Sequence, residues 1–505
     1  MLKFKIGVIL MLLSAILKNT DYVCDGFSDR EIGSLCYDSR KADEGSLFVC
    51  LVGTSVDGHD YIASAYERGC RVFAVSKNVE GFEDATFITF ADTRKALALM
   101  SANFFGRPAD RLFLIAITGT KGKTSVSFML RSIFEEAGHK VGIIGTTGII
   151  YGDVHEKSDN STPESYEIHR HFAEMEKCGV DVVVMEVSSQ GLMMHRCYGI
   201  TFDAAIYTNL SPDHIGGAEH KSFEEYRDCK SILFSQCREA FANADDENFP
   251  YITAPFGKRP VLYGIDHKAD IRAENIEFTS DSKGLKTSYE LTLGSTSYNI
   301  RLNIPGRFTV YNSLAAAACG LTFGCEPEHI TAGLAKARVE GRMEKVETGL
   351  PFSAIIDYAH NELSMENLYE TIGHYPHNRI ITVFGCGGNR AKARRYDMGR
   401  IAMEQSDLCV ITSDNPRFES LDEINADIMV GINLGLEKNK NGKYEIINDR
   451  KEAICHAMDV AESGDVIIIP GKGHQHYEEI EGKKYPFNER EIIEEYAKIK
   501  KEGKK

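Results

Sequence analysis

The chain has 505 residues and carries 74 acidic against 58 basic side chains, a net charge of −16. That balance argues against a nucleic-acid partner, whose phosphates call for a basic face, and the length predicts roughly two to four domains. Thirteen cysteines run from Cys24 to Cys455. Their number is odd and no two have C-x-x-C spacing, which points away from a zinc site or redox dithiol and fits a reducing, cytoplasmic compartment.

The N-terminal run MLKFKIGVILMLLSAILKN has a signal-like charge pattern. No small-residue cleavage site follows it, and it is too short to span a bilayer, so it reads as a buried helix with no membrane insertion. Short strands are predicted at 46–52, 71–75 and 85–90, with a helix at 61–68. Gly106-Arg107-Pro108 reads as a linker. A new α/β pattern begins at Leu112, with continuous apolar runs at 182–187 and 204–208 that suit parallel strands buried on both faces. From 260 to 304 polar and apolar residues alternate, which predicts an antiparallel patch, and 311–323 is an Ala-rich helix. After Glu340-Gly341-Arg342, strands at 353–357, 380–384, 408–412 and 465–470 alternate with helices, the pattern of a second open parallel sheet. Lys498 to Lys505 reads as a frayed tail. The resulting fold class is α/β, divided at 1–108, 109–339 and 340–505.

The strongest local signal is LFLIAITGTKGKTSVSFML, residues 112–130. An apolar strand runs into Gly119-Thr120-Lys121-Gly122-Lys123-Thr124-Ser125 and then into a helical pattern. Ile117 stands where the usual G-x-x-x-x-G-K-[ST] loop has its first glycine. The physics of a phosphate loop is nevertheless present. Backbone N–H groups and the positive end of a helix converge on one point. Gly119 and Gly122 permit close backbone approach, Lys123 supplies a charge for the terminal phosphates, and Thr124 supplies an oxygen for Mg²⁺. Glu186, at the end of an apolar strand, and His214, after another, are further candidate metal ligands.

The form G-T-x-G-K-[ST]-[ST] resembles the ATP loop of the Mur ligases and folylpolyglutamate synthetases. These enzymes use ATP to make an acyl phosphate that an amine then attacks. The resemblance extends in order along almost the whole chain. It implies an N-terminal domain that binds a UDP-linked substrate (1–108), a central ATP domain (109–339) and a C-terminal amino-acid-binding domain (340–505). It also implies two Mg²⁺ ions, held by Thr124, Glu186, His214 and Lys230, with Lys230 as a carbamate. Asn312 of Pro305-Gly306-Arg307-Phe308…Tyr311-Asn312 is implied at the nucleotide base, Arg342 at the phosphates, and Asp357 of Asp357-Tyr358-Ala359-His360 at the ribose. Lys123, Lys230, His214, Glu186 and Arg342 form the implied catalytic set.

Within the family the match is nearest to the ligase that adds the third amino acid to UDP-N-acetylmuramoyl-L-alanyl-D-glutamate. Ser39 of Asp38-Ser39-Arg40 resembles its uridine site. Asn160, Ser161, Thr162, Ser188 and Arg196 resemble its contacts to the muramoyl dipeptide. Arg390, Asp414, Asn415, Pro416, Arg417, Gly471 and Gln475 resemble its amino-acid site. Asp414-Asn415-Pro416-Arg417 implies meso-diaminopimelate, because a guanidinium suits the distal carboxylate that lysine lacks. Several positions depart from the pattern. Gln475 replaces the Glu of Gly-Lys-Gly-His-Glu, Met194 replaces a Gln, Ala391 to Asp397 differ from the usual Asp, Gly and Pro, and Asn361-Glu362 follows His360. The implied enzyme is a monomeric ATP-dependent acid–amino-acid ligase of peptidoglycan precursor synthesis. Addition of L-lysine or another amino acid, a folylpolyglutamate- or cyanophycin-type ligase, and a catalytically inactive nucleotide-binding scaffold are the competing readings.

Overall fold

The computed structural model describes residues 10–53, 56–212, 215–216, 220–281 and 284–502. It divides into two compact units, Met1–Asp270 with Ala315–Glu326, and Ile271–Leu314 with Pro327–Lys505. No helix among the described residues is long and apolar enough to cross a membrane.

The first unit opens with a parallel four-stranded sheet, Ser34–Cys36, Ser46–Val49, Val72–Val75 and Thr86–Thr89 in that order. The expected N-terminal helix is reduced to one turn, Leu13–Ile16, preceded by Met11–Leu12 paired antiparallel with Glu31–Ile32; residues 1–9 lie outside the described residues. Leu13, Ile16 and Leu17 are buried. Their apolar contacts hold the turn against the sheet, since four residues form no stable helix alone.

Next in the same unit come parallel strands in the order Val141–Gly145, Val182–Glu186, Phe113–Thr118, Phe202–Tyr207, Cys237–Asn243 and Val261–Gly264. Gly148–Tyr151 and Val154–Glu156 continue antiparallel from the first of these. Val182–Glu186 and Phe202–Tyr207 are buried throughout, which is why they are apolar apart from one carboxylate each, Glu186 and Asp203. Their carboxyl ends bring Thr118, Glu186 and Tyr207 to one edge of the sheet.

In the second unit Ile271–Asp281, Gly284–Leu293 and Thr296–Leu302 form the antiparallel patch. A six-stranded sheet runs in the order Glu344–Val346, Ser353–Asp357, Val466–Pro470, Ile380–Phe384, Leu408–Ile411, Lys443–Ile446, parallel except at its first strand. A hairpin, Tyr477–Ile480 with Lys483–Pro486, was not foreseen. The C-terminal Lys-rich segment is not frayed as far as it is described: helix Glu489–Glu502 includes it, and Lys500 Nζ donates to Met458 O at 2.6 Å and to Asp459 at 2.9 Å. Ile492, Ile493 and Ala497 are buried beneath it. An apolar face at i, i+1 and i+5 outweighs the like charges on the outer face.

His169, on helix Ser165–Lys177, is 2 % exposed, and neither ring nitrogen has a hydrogen-bond partner. Burial holds its pKa down to about 4. The folded state therefore prefers the neutral ring. This contribution is intact above the unfolded pKa near 6.5 and is lost as pH falls from there towards 4. Urea denaturation of the wild type at pH 7 and pH 4.5 should show a stability loss about 2–3 kcal/mol larger than that of His169→Leu; equal losses would count against this account.

Candidate active site

The phosphate loop forms where the sequence places it. Strand Phe113–Thr118 ends at the loop, and helix Lys123–Glu136 starts directly after Gly122. Gly119 has φ 144° and Gly122 φ 89°, regions that disfavour any Cβ. A side chain on Gly119 would also collide with the Thr208 hydroxyl. Lys123 Nζ donates back across the loop to Gly119 O at 2.7 Å and Thr120 O at 3.0 Å. Thr124 and Ser125 follow in the first helical turn, half-buried.

The loop is tied to the end of the neighbouring strand. Lys121 N donates to Asn209 Oδ1 at 2.9 Å, Asn209 Nδ2 donates to Lys121 O at 3.1 Å, and Thr120 N donates to Asn209 O at 2.8 Å. Thr208 Oγ1 donates to Lys121 O at 2.7 Å. Thr208 and Asn209 were not singled out from the sequence. The available signal was a pair of polar residues directly after the apolar run 204–207.

Lys230, on helix Phe223–Ser231, is 1 % exposed and reaches the same carbonyl as Lys123, donating to Gly119 O at 3.1 Å. Its ammonium lies 4.4 Å from the centre of the Tyr226 ring, and the Tyr226 hydroxyl is 3.1 Å from Thr120 Oγ1. Glu186 is buried at the end of its strand in register with Ile117. Its carboxylate accepts from Thr146 N at 3.1 Å and Thr146 Oγ1 at 3.0 Å, a support that sequence reading overlooked. His214 lies outside the described residues. Among those described, no group of three or more His, Cys, Asp or Glu side chains could hold a metal. Glu186 and the Thr124 hydroxyl are nonetheless the hard oxygen donors that Mg²⁺ takes alongside phosphate and water.

Thr162, Ser188 and Arg196 are brought into one network. Thr162 Oγ1 donates to Glu186 O at 3.0 Å and accepts from Ser188 N at 2.9 Å. Ser188 Oγ caps the next helix at Gly191 N, and Arg196 donates to Thr162 O at 2.9 Å. Glu164 takes Arg196 from one side and Arg94, of the N-terminal sheet layer, from the other. Asn160 is exposed and Ser161 half-buried beside them. Ser39 is buried in a 3₁₀ turn whose preceding Asp38 accepts from Arg40 N.

In the second unit, Asp357 is half-buried at the end of its strand and accepts from Met343 N at 2.7 Å and Ala359 N at 2.8 Å. Burial pushes its carboxyl up, against the pull of Arg342 and those two amides. Arg342 stacks 4.8 Å from the Tyr358 ring centre. Asn312 lies half-buried on helix Arg307–Thr322.

The Asp414-Asn415-Pro416-Arg417 turn is set by buried charges beneath it. Lys472 Nζ, fully buried, donates to Asp414 O at 3.0 Å and Asn415 Oδ1 at 3.2 Å. Burial pushes its ammonium down, and Asp414 opposes this. Arg450 donates to Ser413 O, to Pro470 O beside Gly471, and to Glu489. Gln475 Oε1 accepts from Asn415 Nδ2 at 3.1 Å. Arg417 donates from Nη1 to Gly388 O at 2.7 Å and from Nε to Glu479 at 3.2 Å. A Cβ on Gly387 would meet Arg417 Nη1 at 3.1 Å and Arg390 Cγ at 4.0 Å, so both arginines border the same glycine loop. Glu479 sits on the unforeseen hairpin, and no local pattern pointed to it.

A glycine-cradled loop between strand and helix, with two lysines on one loop carbonyl, defines a nucleotide-phosphate site of the kind found in ATP-using enzymes. Three family models match in succession: Mur ligase family, catalytic domain (residues 31–105), Mur ligase middle domain (117–320) and Mur ligase, glutamate ligase domain (341–473). A UDP-N-acetylmuramoyl-L-alanyl-D-glutamate–2,6-diaminopimelate ligase of Clostridium acetobutylicum is 40% identical over 97% of this chain and 99% of its own length. Its counterpart in Clostridium perfringens is 40% identical over 96% and 99%. A solved structure of a ligase of that name superposes with TM-score 0.70 at 25% identity, covering 94% of this chain and 96% of that one. A Mycobacterium tuberculosis folylpolyglutamate synthase, TM-score 0.58 at 16% identity over 81% and 95%, shares the fold. The chain belongs to the Mur ligase family.

Asn209→Ala removes the two side-chain hydrogen bonds that tie the loop, Lys121 N to Asn209 Oδ1 and Asn209 Nδ2 to Lys121 O. Nucleotide affinity, read by thermal shift against ADP, should fall by up to about 30-fold at hydrogen-bond strengths of roughly 1 kcal/mol each; unchanged affinity would show that the loop holds its shape without Asn209.

Proposed function

We propose that the protein is an ATP-dependent ligase that joins meso-diaminopimelate to UDP-N-acetylmuramoyl-L-alanyl-D-glutamate. The observation that carries the reading is a full-length match to ligases of that name, together with an Arg417 guanidinium at the rim of the second unit's glycine loop. The folylpolyglutamate-type reading leaves the Asp38-Ser39-Arg40 layer without a use. A scaffold reading leaves the buried Lys230 and Glu186 without one. The reading places the enzyme in the reducing cytoplasm, consistent with its thirteen free thiols, and as a monomer.

In this mechanism the phosphate-loop amides and Lys123 bind the nucleotide's terminal phosphates and spread the charge that builds as the γ-phosphoryl group moves to the substrate carboxylate. Arg342 is assigned to the same charge. Ser39 and its layer hold the uridine end; Thr162, Ser188 and Arg196 shape the seat of the dipeptide. The incoming amine then attacks the acyl phosphate, inorganic phosphate leaves and an amide forms. Positioning and charge neutralisation suffice, with no side-chain nucleophile. Mg²⁺ would be held by Thr124, Glu186, His214 and Lys230 as a carbamate, and supplies neutralisation of phosphate oxygens when bound. A carbamate on Lys230 retains one N–H, enough to keep the bond to Gly119 O while presenting two anionic oxygens.

Phosphate release with the UDP-muramoyl dipeptide should require meso-diaminopimelate, and L-lysine should support under about a hundredth of that rate, since it brings no distal carboxylate to Arg417. Turnover with lysine alone would reverse the substrate assignment. With ¹⁸O in the acceptor carboxylate, label should appear in the released phosphate; unlabelled phosphate would exclude the acyl phosphate. Lys230→Ala should lose at least about 100-fold in kcat and recover in part with short-chain carboxylic acids. Full activity without them would remove the carbamate.

A further inference from the structure

We infer that Glu479, with Arg417, forms a two-charge receptor for the zwitterionic distal end of the amino-acid substrate, Arg417 taking its carboxylate and Glu479 its ammonium. The inference rests on the function proposed above and adds a specificity-determining residue to it.

Arg417 and Glu479 meet at 3.2 Å through Nε and Oε2, with side chains 22% and 21% exposed. Both are therefore open to a ligand, unlike the fully buried Lys472 and Arg450 behind them. The backbone fixes their relative position. Arg417 N donates to Glu479 O at 2.9 Å, Glu481 N donates to Arg417 O at 2.7 Å, and Glu479 N donates to Asn415 Oδ1 at 2.9 Å. The turn and the hairpin thus share a short ladder that carries both charges. Arg417 spends Nη1 on Gly388 O and Nε on Glu479. A guanidinium has five donors, so Nη2 and the second Nη1 hydrogen remain for a carboxylate. The Glu479 carboxylate has more acceptor sites than the single Arg417 contact uses.

Charge counting selects the ligand. The turn's other charges are matched internally, Lys472 against Asp414 at 3.2 Å and Arg450 against Glu489 at 2.7 Å. Gln475 is neutral and already accepts from Asn415. Arg417 and Glu479, a half-buried cation touching a half-buried anion, complement a group bearing both signs, while Arg390 stands exposed on the same glycine loop as a further cation. 2,6-Diaminopimelate ends in such a group, because each end is an amino acid. Lysine presents only an ammonium and would leave Arg417 facing nothing; a dicarboxylic acid lacking the distal amine would leave Glu479 in the same position.

The test compares two amine substrates, meso-diaminopimelate and 2-aminopimelate, which keeps the distal carboxylate and lacks the distal amine. Wild type and Glu479→Gln are assayed by phosphate release in the presence of the UDP-muramoyl dipeptide. KM for meso-diaminopimelate should rise about tenfold or more in Glu479→Gln, the size of a lost charge-assisted hydrogen bond. KM for 2-aminopimelate should stay within about twofold, and Glu479→Asp should recover part of the loss for meso-diaminopimelate. If Glu479 only orients Arg417, both KM values rise together, and that result overturns the inference, as does no change in either. A wild type that uses no meso-diaminopimelate overturns the function reading itself, and this inference with it.

Discussion

One carbonyl oxygen organises the phosphate site. Gly119 O accepts from Lys123 at 2.7 Å and from the buried Lys230 at 3.1 Å. In the unmodified chain two ammonium groups meet this acceptor beside the positive end of helix Lys123–Glu136; the carbamate proposed for Lys230 turns that side chain to metal binding and leaves Lys123 as the cation of the loop. Such a place favours a polyanion and disfavours almost anything else. It works only if Gly119 O keeps its direction. Thr208 and Asn209 hold the loop from the next strand, and the absence of a Cβ on Gly119 lets the Thr208 hydroxyl sit against it. That crowding at Gly119 and the positive φ of 89° at Gly122 explain why these two, rather than a glycine at position 117, are the residues this loop requires. Ile117 lies within the strand, fully buried and in register with Glu186.

The second unit uses charge differently. Its buried ions come in matched sets: Lys472 with Asp414, Arg450 with Glu489, and Arg395 with Asp427 and Glu419. Buried pairs of this kind add little net stability over apolar replacements, whereas removing one partner costs about 3–5 kcal/mol. Their effect is to fix loops. Arg395 joins helix Lys392–Gln405 to Gly387 O and to Glu419, which in turn accepts from Asn389 N. Ala391 to Asp397 depart from the family's pattern, yet they supply Arg395, and that arginine anchors the glycine loop from below. Arg390 stands exposed at the rim of that loop.

Local chemistry was legible in the sequence wherever one segment carries the whole instruction. Strand, glycine loop and helix at 113–136 follow from apolar run, glycine spacing and helical period, and Glu186 follows from its place at the end of a buried strand. What could not be read was the partner of each motif. Thr146, Asn209 and Glu479 act on residues 40, 88 and 62 positions away. The hairpin at 477–486 eluded the reading because its strands are short, charged and, in the second, fully exposed, so no alternation of apolar residues marks them. The Lys-rich end misled for a related reason. Composition described its outer face, while Ile492, Ile493 and Ala497 on the inner face decided its structure.

Backbone conformation links the two kinds of information. Among the described non-glycine residues with positive φ are His195 at 55°, Met343 at 45°, Asn389 at 55° and Arg417 at 53°. His195, Met343 and Asn389 adjoin the marked residues Arg196, Arg342 and Arg390, and Arg417 is itself marked; each costs on the order of 1 kcal/mol or more, which surrounding contacts must offset. Those contacts are visible. Met343 N is held by Asp357, Asn389 N by Glu419, and Arg417 by the hairpin ladder on both its N–H and its C=O. Asp357 and Glu419 thus do two things at once: they carry charge into the site and they hold a strained amide. A substitution at either would release the backbone as well as remove a carboxylate. Asn19, Arg107, Asn275 and Glu481 also have positive φ, so backbone strain is not confined to the loops assigned to ligands; at Met343, Asn389 and Arg417 the hydrogen bonds just named hold the backbone away from its preferred well and so fix where the neighbouring side chains start.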